Sequence, residues 1–214
     1  MTKNFISNKD ETVRMFKNDF MESLSRVHPA VPLIIYIPVV LFFFYRSIFI
    51  FEFSFITIFS LIIFGITVWS LAEYTLHRFI FHYEPKSKFG EQIHFIFHGV
   101  HHDYPSDSRR LVMPPSVSIP LAVLFYFLFE NILGIDLVSP FFIGFIIGYL
   151  FYDMTHFAVH HFAIKNKFFL FLKKHHMRHH FQDSKKGYGV SSPVWDDVMK
   201  TNFDKTKEEY KSFV

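Results

Sequence analysis

Long apolar stretches alternate with polar, histidine-bearing ones along this chain. Residues 31–51 form the first apolar stretch, interrupted by Pro38 and Arg46, and residues 53–72 form the second. A helix that crosses a bilayer needs about 20 apolar residues. The second stretch meets that length alone. The first meets it with Arg46 near its end, where a long cationic side chain reaches the interface. Residues 46–52 are then a short external turn, and the second helix is expected to run on through Glu73 and His77 towards His82, stopped by Glu84-Pro85. Residues 86–110 are polar. Pro114-Pro115 opens a third apolar stretch (116–133), residues 134–140 make a turn, and 141–154 are the core of a fourth. The remainder, 162–214, is basic and soluble in character. At the other end, residues 1–28 are polar and charged, without a secretory cleavage pattern. Phe16, Phe20 and Leu24 recur there at roughly helical spacing, which fits an amphipathic helix over 5–27 on the membrane surface, with a partly ordered tail as the alternative.

Composition supports a membrane protein of one domain. Half of the 214 residues are hydrophobic and 32 are Phe, more than a soluble core of this size can hide. The absence of cysteine excludes disulfides, Cys-type zinc sites, iron–sulfur clusters and cysteine-attached haem. A net charge of +3 is too small to argue for nucleic acid as a partner. Of the 22 Lys and Arg residues, only Arg46 falls in either short turn. Cytoplasmic segments carry the Lys/Arg excess, so both termini and the central polar segment are expected in the cytoplasm, with two helical hairpins in the membrane. The predicted organisation is a cytosolic or interfacial segment over 1–30 and a membrane-embedded domain over 31–214.

The candidate chemistry lies in ten histidines. His98-Gly99-Val100-His101-His102 places three imidazoles on one face of a helical turn, and His176-Met177-Arg178-His179-His180 repeats the pattern. His77 with His82, and His156 with His160, are looser pairs. All four groups adjoin apolar segments, on the side to which the charge pattern assigns the cytoplasm. Neutral imidazole suits zinc, copper, nickel and iron. Ten ligands exceed what one ion uses, whereas two ions with about five each leave room for an exogenous ligand such as oxygen, the economy of a redox di-iron site. The zincin and inverted zincin patterns are missing, as is the Glu-x-x-His motif of bundle-core di-iron proteins. Ligand histidines hand their other N–H to a carboxylate or carbonyl, which makes Glu73, Asp153, Asp103 and Asp183 supporting candidates. His94, His161 and His175 are competitors for the same roles, and His28 reads as an interfacial residue.

At these residues the chain resembles the fatty acid hydroxylase superfamily of histidine-rich membrane enzymes related to sterol desaturases, and most closely its fatty acid 2-hydroxylases. The resemblance rests on His77-Arg78-Phe79-Ile80-Phe81-His82, the His98 motif, the run Arg110-Leu111-Val112-Met113-Pro114-Pro115, Tyr152-Asp153 leading to His156 and His160, Lys173-Lys174 with the His176 motif, and Gly187-Tyr188-Gly189-Val190 leading to Trp195-Asp196. It implies an all-α, four-helix membrane domain with a cytosolic helical cap that holds two metal ions. Iron is the expected metal, with zinc able to take its place in purified protein. It further implies O2 as cosubstrate and a lipid acyl chain as substrate, hydroxylated at the carbon next to the carbonyl. Relatives often carry a fused cytochrome b5 domain and this chain shows none, so a separate cytochrome b5-like or ferredoxin donor is expected. The rivals are a sterol or carotenoid oxidising member of the superfamily and, in a different class, a membrane metal-binding or transport protein. A transporter would place ligands near the membrane midplane.

Overall fold

The computed structural model describes residues 5–204 and is helical throughout, with no strand among the described residues. The outer ends of the two expected segments, residues 1–4 and 205–214, lie outside the described residues. The elements are α1 (Asp19–Leu24), α2 (Ala30–Tyr45), α3 (Phe55–Leu76), α4 (Lys88–His94), α5 (Val100–Asp103), α6 (Pro115–His161), α7 (Lys167–Phe181) and α8 (Val194–Val198). Three π turns extend or join them: Arg46–Ile50 after α2, His77–Phe81 after α3, and Phe95–Gly99 between α4 and α5.

Polar side chains set half of the helix starts. Ser54, Ser87 and Asn166 each accept a hydrogen bond from a backbone N–H in the first turn of α3, α4 and α7. Pro115 opens α6, where a missing N–H costs nothing. Three helices are long and apolar enough to cross a membrane: Ala30–Ile50, Phe55–Phe81 and Pro115–His161. They expose Ile34, Leu41, Phe55 and Ile56, each at least 62% accessible, as a lipid-facing surface requires.

The 47-residue helix α6 would be about 70 Å long if straight, against about 30 Å of hydrocarbon. It is not straight. Gly134, with φ +84°, leaves the helical region and breaks it. The halves fold back on each other, as the ring pairs Phe129–Phe141 (4.8 Å), Phe125–Phe145 (5.0 Å) and Tyr126–Phe142 (5.4 Å) record. The turn expected over 134–140 is thus confined to the glycine, and the next helix begins at once.

That second half of α6 is the centre of the fold. It packs on α2 through Tyr36–Tyr149 and Phe43–Phe142, and on α3 by backbone contact. A Cβ on Gly65 would strike the Phe141 carbonyl, and one on Gly144 would strike the backbone of Ile62. Small residues let apolar helices approach this closely.

Two expectations need correction. The helix predicted over 5–27 is reduced to α1, because Asn18 caps that short helix and the Glu22 carboxylate takes the N–H groups of Met15 and Phe16. Residues 46–50 are not a turn but one more helical turn, of π type, and the reversal comes at residues 51–54 with Glu52 at φ +50°. There the Arg46 guanidinium lies against the Phe51, Phe43 and Phe42 rings.

Gly144→Val should force α3 and α6 apart and cost about 1–3 kcal/mol or more. Thermal unfolding in detergent measures it, and a stability equal to that of the parent would refute the close approach.

Candidate metal centre

The histidines meet where α3 and the second half of α6 end. His77 and His82 are five residues apart, which on an α-helix would turn them roughly 140° away from each other. The π turn closes that gap, with the His82 N–H donating to the His77 carbonyl at 3.1 Å. A second π turn carries His98 and leads into α5, which carries His101 and His102. His156 and His160 lie one turn apart on α6, and His176, His179 and His180 on α7.

Ten histidines form two groups: His77, His82, His98, His102 and His179, and His101, His156, His160, His176 and His180. These are the ten singled out by spacing. Each triplet is divided, however. His98 and His102 join one group while His101 joins the other, and His176 and His180 separate from His179 in the same way. The three imidazoles do not share one face. His94, His161 and His175 belong to neither group.

Backbone carbonyls orient the rings. Nδ1–H of His77 donates to Tyr188, that of His156 to Leu111 at 2.8 Å, and that of His179 to Lys186 at 2.8 Å. Placing the proton on Nδ1 turns the Nε2 lone pair inward. Those nitrogens then crowd each other: His179–His82 at 2.9 Å, His98–His82 and His98–His102 at 3.0 Å, and His156–His101 and His101–His180 at 3.0 Å. A neutral ring can bridge one such pair by an N–H···N bond, but five ring nitrogens gathered at one point offer more lone pairs than protons, the donor set of a cation site. Two nitrogens about 2.1 Å from one ion are about 3.0 Å apart at a right angle and about 3.4 Å apart at a tetrahedral one. The close pairs therefore fit a five- or six-coordinate ion in each group, with all five ligand atoms of a group within 4.8 Å of one another.

The carboxylates act one step further out. Glu73 accepts from the N–H groups of Val190 (2.7 Å) and Ser191 (2.8 Å), which fixes the loop that offers the Tyr188 carbonyl to His77. Asp153 accepts from the Met113 N–H at 3.2 Å, two residues from the Leu111 carbonyl that holds His156. Asp183 accepts from the Lys185 N–H in the turn that ends at Lys186. The Asp103 carboxylate makes no hydrogen bond among the described residues, and its backbone carbonyl receives the N–H groups of Ile6 and Ser7. None of the four bonds a histidine of either group. The spacing argument missed Asp196, which is fully buried. Its carboxylate takes the N–H groups of Tyr188 (2.9 Å) and Gly189 (2.8 Å), the Thr201 hydroxyl (2.8 Å) and His175 Nε2 (3.2 Å). Only its place in the Trp195-Asp196 signature marked it in the sequence.

Residues 62–201 match the family described as Fatty acid hydroxylase. The chain belongs to the fatty acid hydroxylase family. It is 41% identical over 194 residues to the dihydroceramide fatty acyl 2-hydroxylase FAH2 of Arabidopsis thaliana, covering 89% of this chain and 80% of that protein. To the fatty acid 2-hydroxylase of Rattus norvegicus it is 34% identical, over 88% of this chain and 56% of the rat enzyme. A solved structure of full-length scs7p, with only the hydroxylase domain visible, superposes with a TM-score of 0.82 at 35% identity, covering 88% of this chain and 71% of that one. The matched region holds every histidine of both groups and the Tyr188, Leu111 and Lys186 carbonyls.

Burial keeps the imidazoles of this hydroxylase neutral. It lowers the His179 pKa to about 4, against the Lys186 carbonyl, which raises it, and it holds His101 and His180 well below 6.5. Unfolded histidine titrates near 6.5, so below that pH the unfolded chain takes up protons that the folded site refuses. Stability and bound metal are expected to fall together as pH drops from 6.5 towards 4, read by metal analysis and thermal unfolding across that range. Asp196→Ala should release the Tyr188 loop that orients His77 and weaken metal binding by about 10–100-fold, measured by competition with a chelator.

Proposed function

We propose that this chain is a membrane-embedded, non-haem di-iron monooxygenase that hydroxylates C2 of fatty acyl chains, free or in ceramide-type lipids. The observation that carries the reading is the opening of both histidine groups onto one apolar cavity of about 360 Å³, lined by His98 from one group and by His101 and His156 from the other. That volume is in the range of small-molecule sites.

One iron would be held by His77, His82, His98, His102 and His179, and the other by His101, His156, His160, His176 and His180. When bound, the irons supply the redox chemistry that puts one atom of O2 into a C–H bond, the other leaving as water with two electrons and two protons from a separate donor. Zinc binds imidazole equally well but cannot cycle redox states. The protein's share is positioning. Val100, Leu111, Val112 and Val117 line the cavity and exclude water from the acyl chain. The run Arg110-Leu111-Val112-Met113-Pro114-Pro115 carries this wall and also supplies the carbonyl that orients His156, so substrate wall and metal ligand move as one piece. The relatives named 2-hydroxylases support attack beside the carbonyl.

For the membrane arrangement we infer four spans, α2, α3 and the two halves of α6, as a single domain over 31–214. Both termini and a cap made by α4, α5, α7 and α8 would be cytoplasmic. The break at Gly134 and the confinement of Lys and Arg to the three polar segments, Arg46 and Arg78 excepted, support this.

Cells expressing the chain together with a competent electron donor should accumulate 2-hydroxy fatty acids in hydrolysed lipids, and His101→Ala should abolish them. Absence of 2-hydroxy acids, or oxygen inserted into a sterol or polyene instead, would overturn the assignment. The cysteine-free chain also permits a direct topology test. Glu52→Cys and Asp136→Cys should react with an impermeant maleimide from outside intact cells, and Lys86→Cys only after permeabilisation. The opposite labelling would invert the orientation.

A further inference from the structure

The cavity has a second wall that takes no part in metal binding. Met15, Phe16, Met21 and Leu24 line the cavity together with the histidines. They come from the segment around α1, outside the matched region of 62–201. The segment has almost no regular structure of its own, since α1 is six residues long. One buried side chain gathers it around α1. The Glu22 carboxylate, 4% exposed, accepts from the N–H groups of Met15 and Phe16 (both 2.9 Å), from Arg26 Nε (2.8 Å) and from Arg110 Nη2 (2.8 Å). Burial alone would raise its pKa, but these partners outweigh burial and keep the carboxyl below its usual value. The clasp is therefore charged at neutral pH.

Arg110 ties this wall to the site. It begins the run that carries the Leu111 carbonyl for His156, and Val27 N–H donates to the neighbouring Arg109 carbonyl at 2.8 Å. The segment is thus fixed at both ends of α1 relative to the histidines, and its apolar side chains meet the cavity at a set distance from them. The same helix exposes Phe20 (69%) and Met21 (45%), so the wall is one side chain thick between the cavity and the surroundings.

We propose that the segment carrying Met15, Phe16, Met21 and Leu24, clasped by Glu22 to Arg110, selects the acyl chain by length. This rests on the acyl-hydroxylase reading given above. The reacting carbon would lie at the histidines, so the rest of the acyl chain is what these side chains meet. The division of labour follows from position. The matched region carries the chemistry, and the segment outside it sets which chains fit.

The test uses membranes holding the full chain, a supplied reductant system, and an equal mixture of free fatty acids and dihydroceramides graded in saturated acyl length. Products are hydrolysed and scored as 2-hydroxy acids by length. Leu24→Trp and Met21→Trp add bulk at the wall and should lower hydroxylation of the longest chains relative to the shortest by about tenfold, the discrimination that a few methylenes support. Phe16→Ala should shift the profile towards longer chains. Met21 is partly exposed, so its replacement tests the wall without burying a misfit. An unchanged length profile, or an equal loss at every length, in all three variants would overturn the proposal while leaving the parent's 2-hydroxylation intact. Failure of the parent to hydroxylate any chain would instead sink the reading beneath it, and the proposal with it.

Discussion

The structure depends on backbone carbonyls that aim buried imidazole nitrogens at one another. Carbonyls of Tyr188, Leu111 and Lys186 fix the protons of His77, His156 and His179 on Nδ1 and turn their other nitrogens inward. Each inward nitrogen then stands about 3 Å from another, as His179 does from His82 and His156 from His101. Buried and close, these nitrogens form the converging donor sets that a cation can gather. The fold therefore stores an arrangement that metal binding makes favourable, and metal binding is correspondingly part of folding.

What holds the arrangement is a set of loops rather than a set of ligands. Glu73, Asp153 and Asp196 bond no metal-facing nitrogen, yet each takes backbone N–H groups from a segment whose carbonyl aims an imidazole. A carboxylate this deep costs several kcal/mol unless its lone pairs are filled, and Glu73 and Asp196 fill theirs with two or more donors each. The long helices provide the rigid frame. Gly65 and Gly144 let α3 and α6 touch backbone to backbone, so the ends that carry His77 and His156 have little freedom to move apart.

Much of this was legible in the sequence, for physical reasons. Apolar stretches and their breaks report helices directly, and Gly134 fell inside the predicted turn. The ten histidines stood out because four closely spaced groups, three of them at i+3 or i+4, lie beside the apolar ends. Their division between two groups was not legible, since spacing gives faces and not partners. The π turns were hidden too. Five-residue spacing from His77 to His82 contradicts an α-helix, and that mismatch was the signal available. Asp196 and the Tyr188 carbonyl were invisible to pattern because their roles are made by tertiary contacts. The segment around α1 misled for the opposite reason: its helical periodicity is real, but Glu22 takes backbone donors that a longer helix would have used.

Two separate groups of five histidines imply a fixed metal stoichiometry. Purified full-length protein should carry two ions per chain by elemental analysis. His82→Ala with His179→Ala should leave one ion, and His101→Ala with His180→Ala should leave the other one. Two ions retained in either double variant, or a parent that binds a single ion at saturation, would contradict the account.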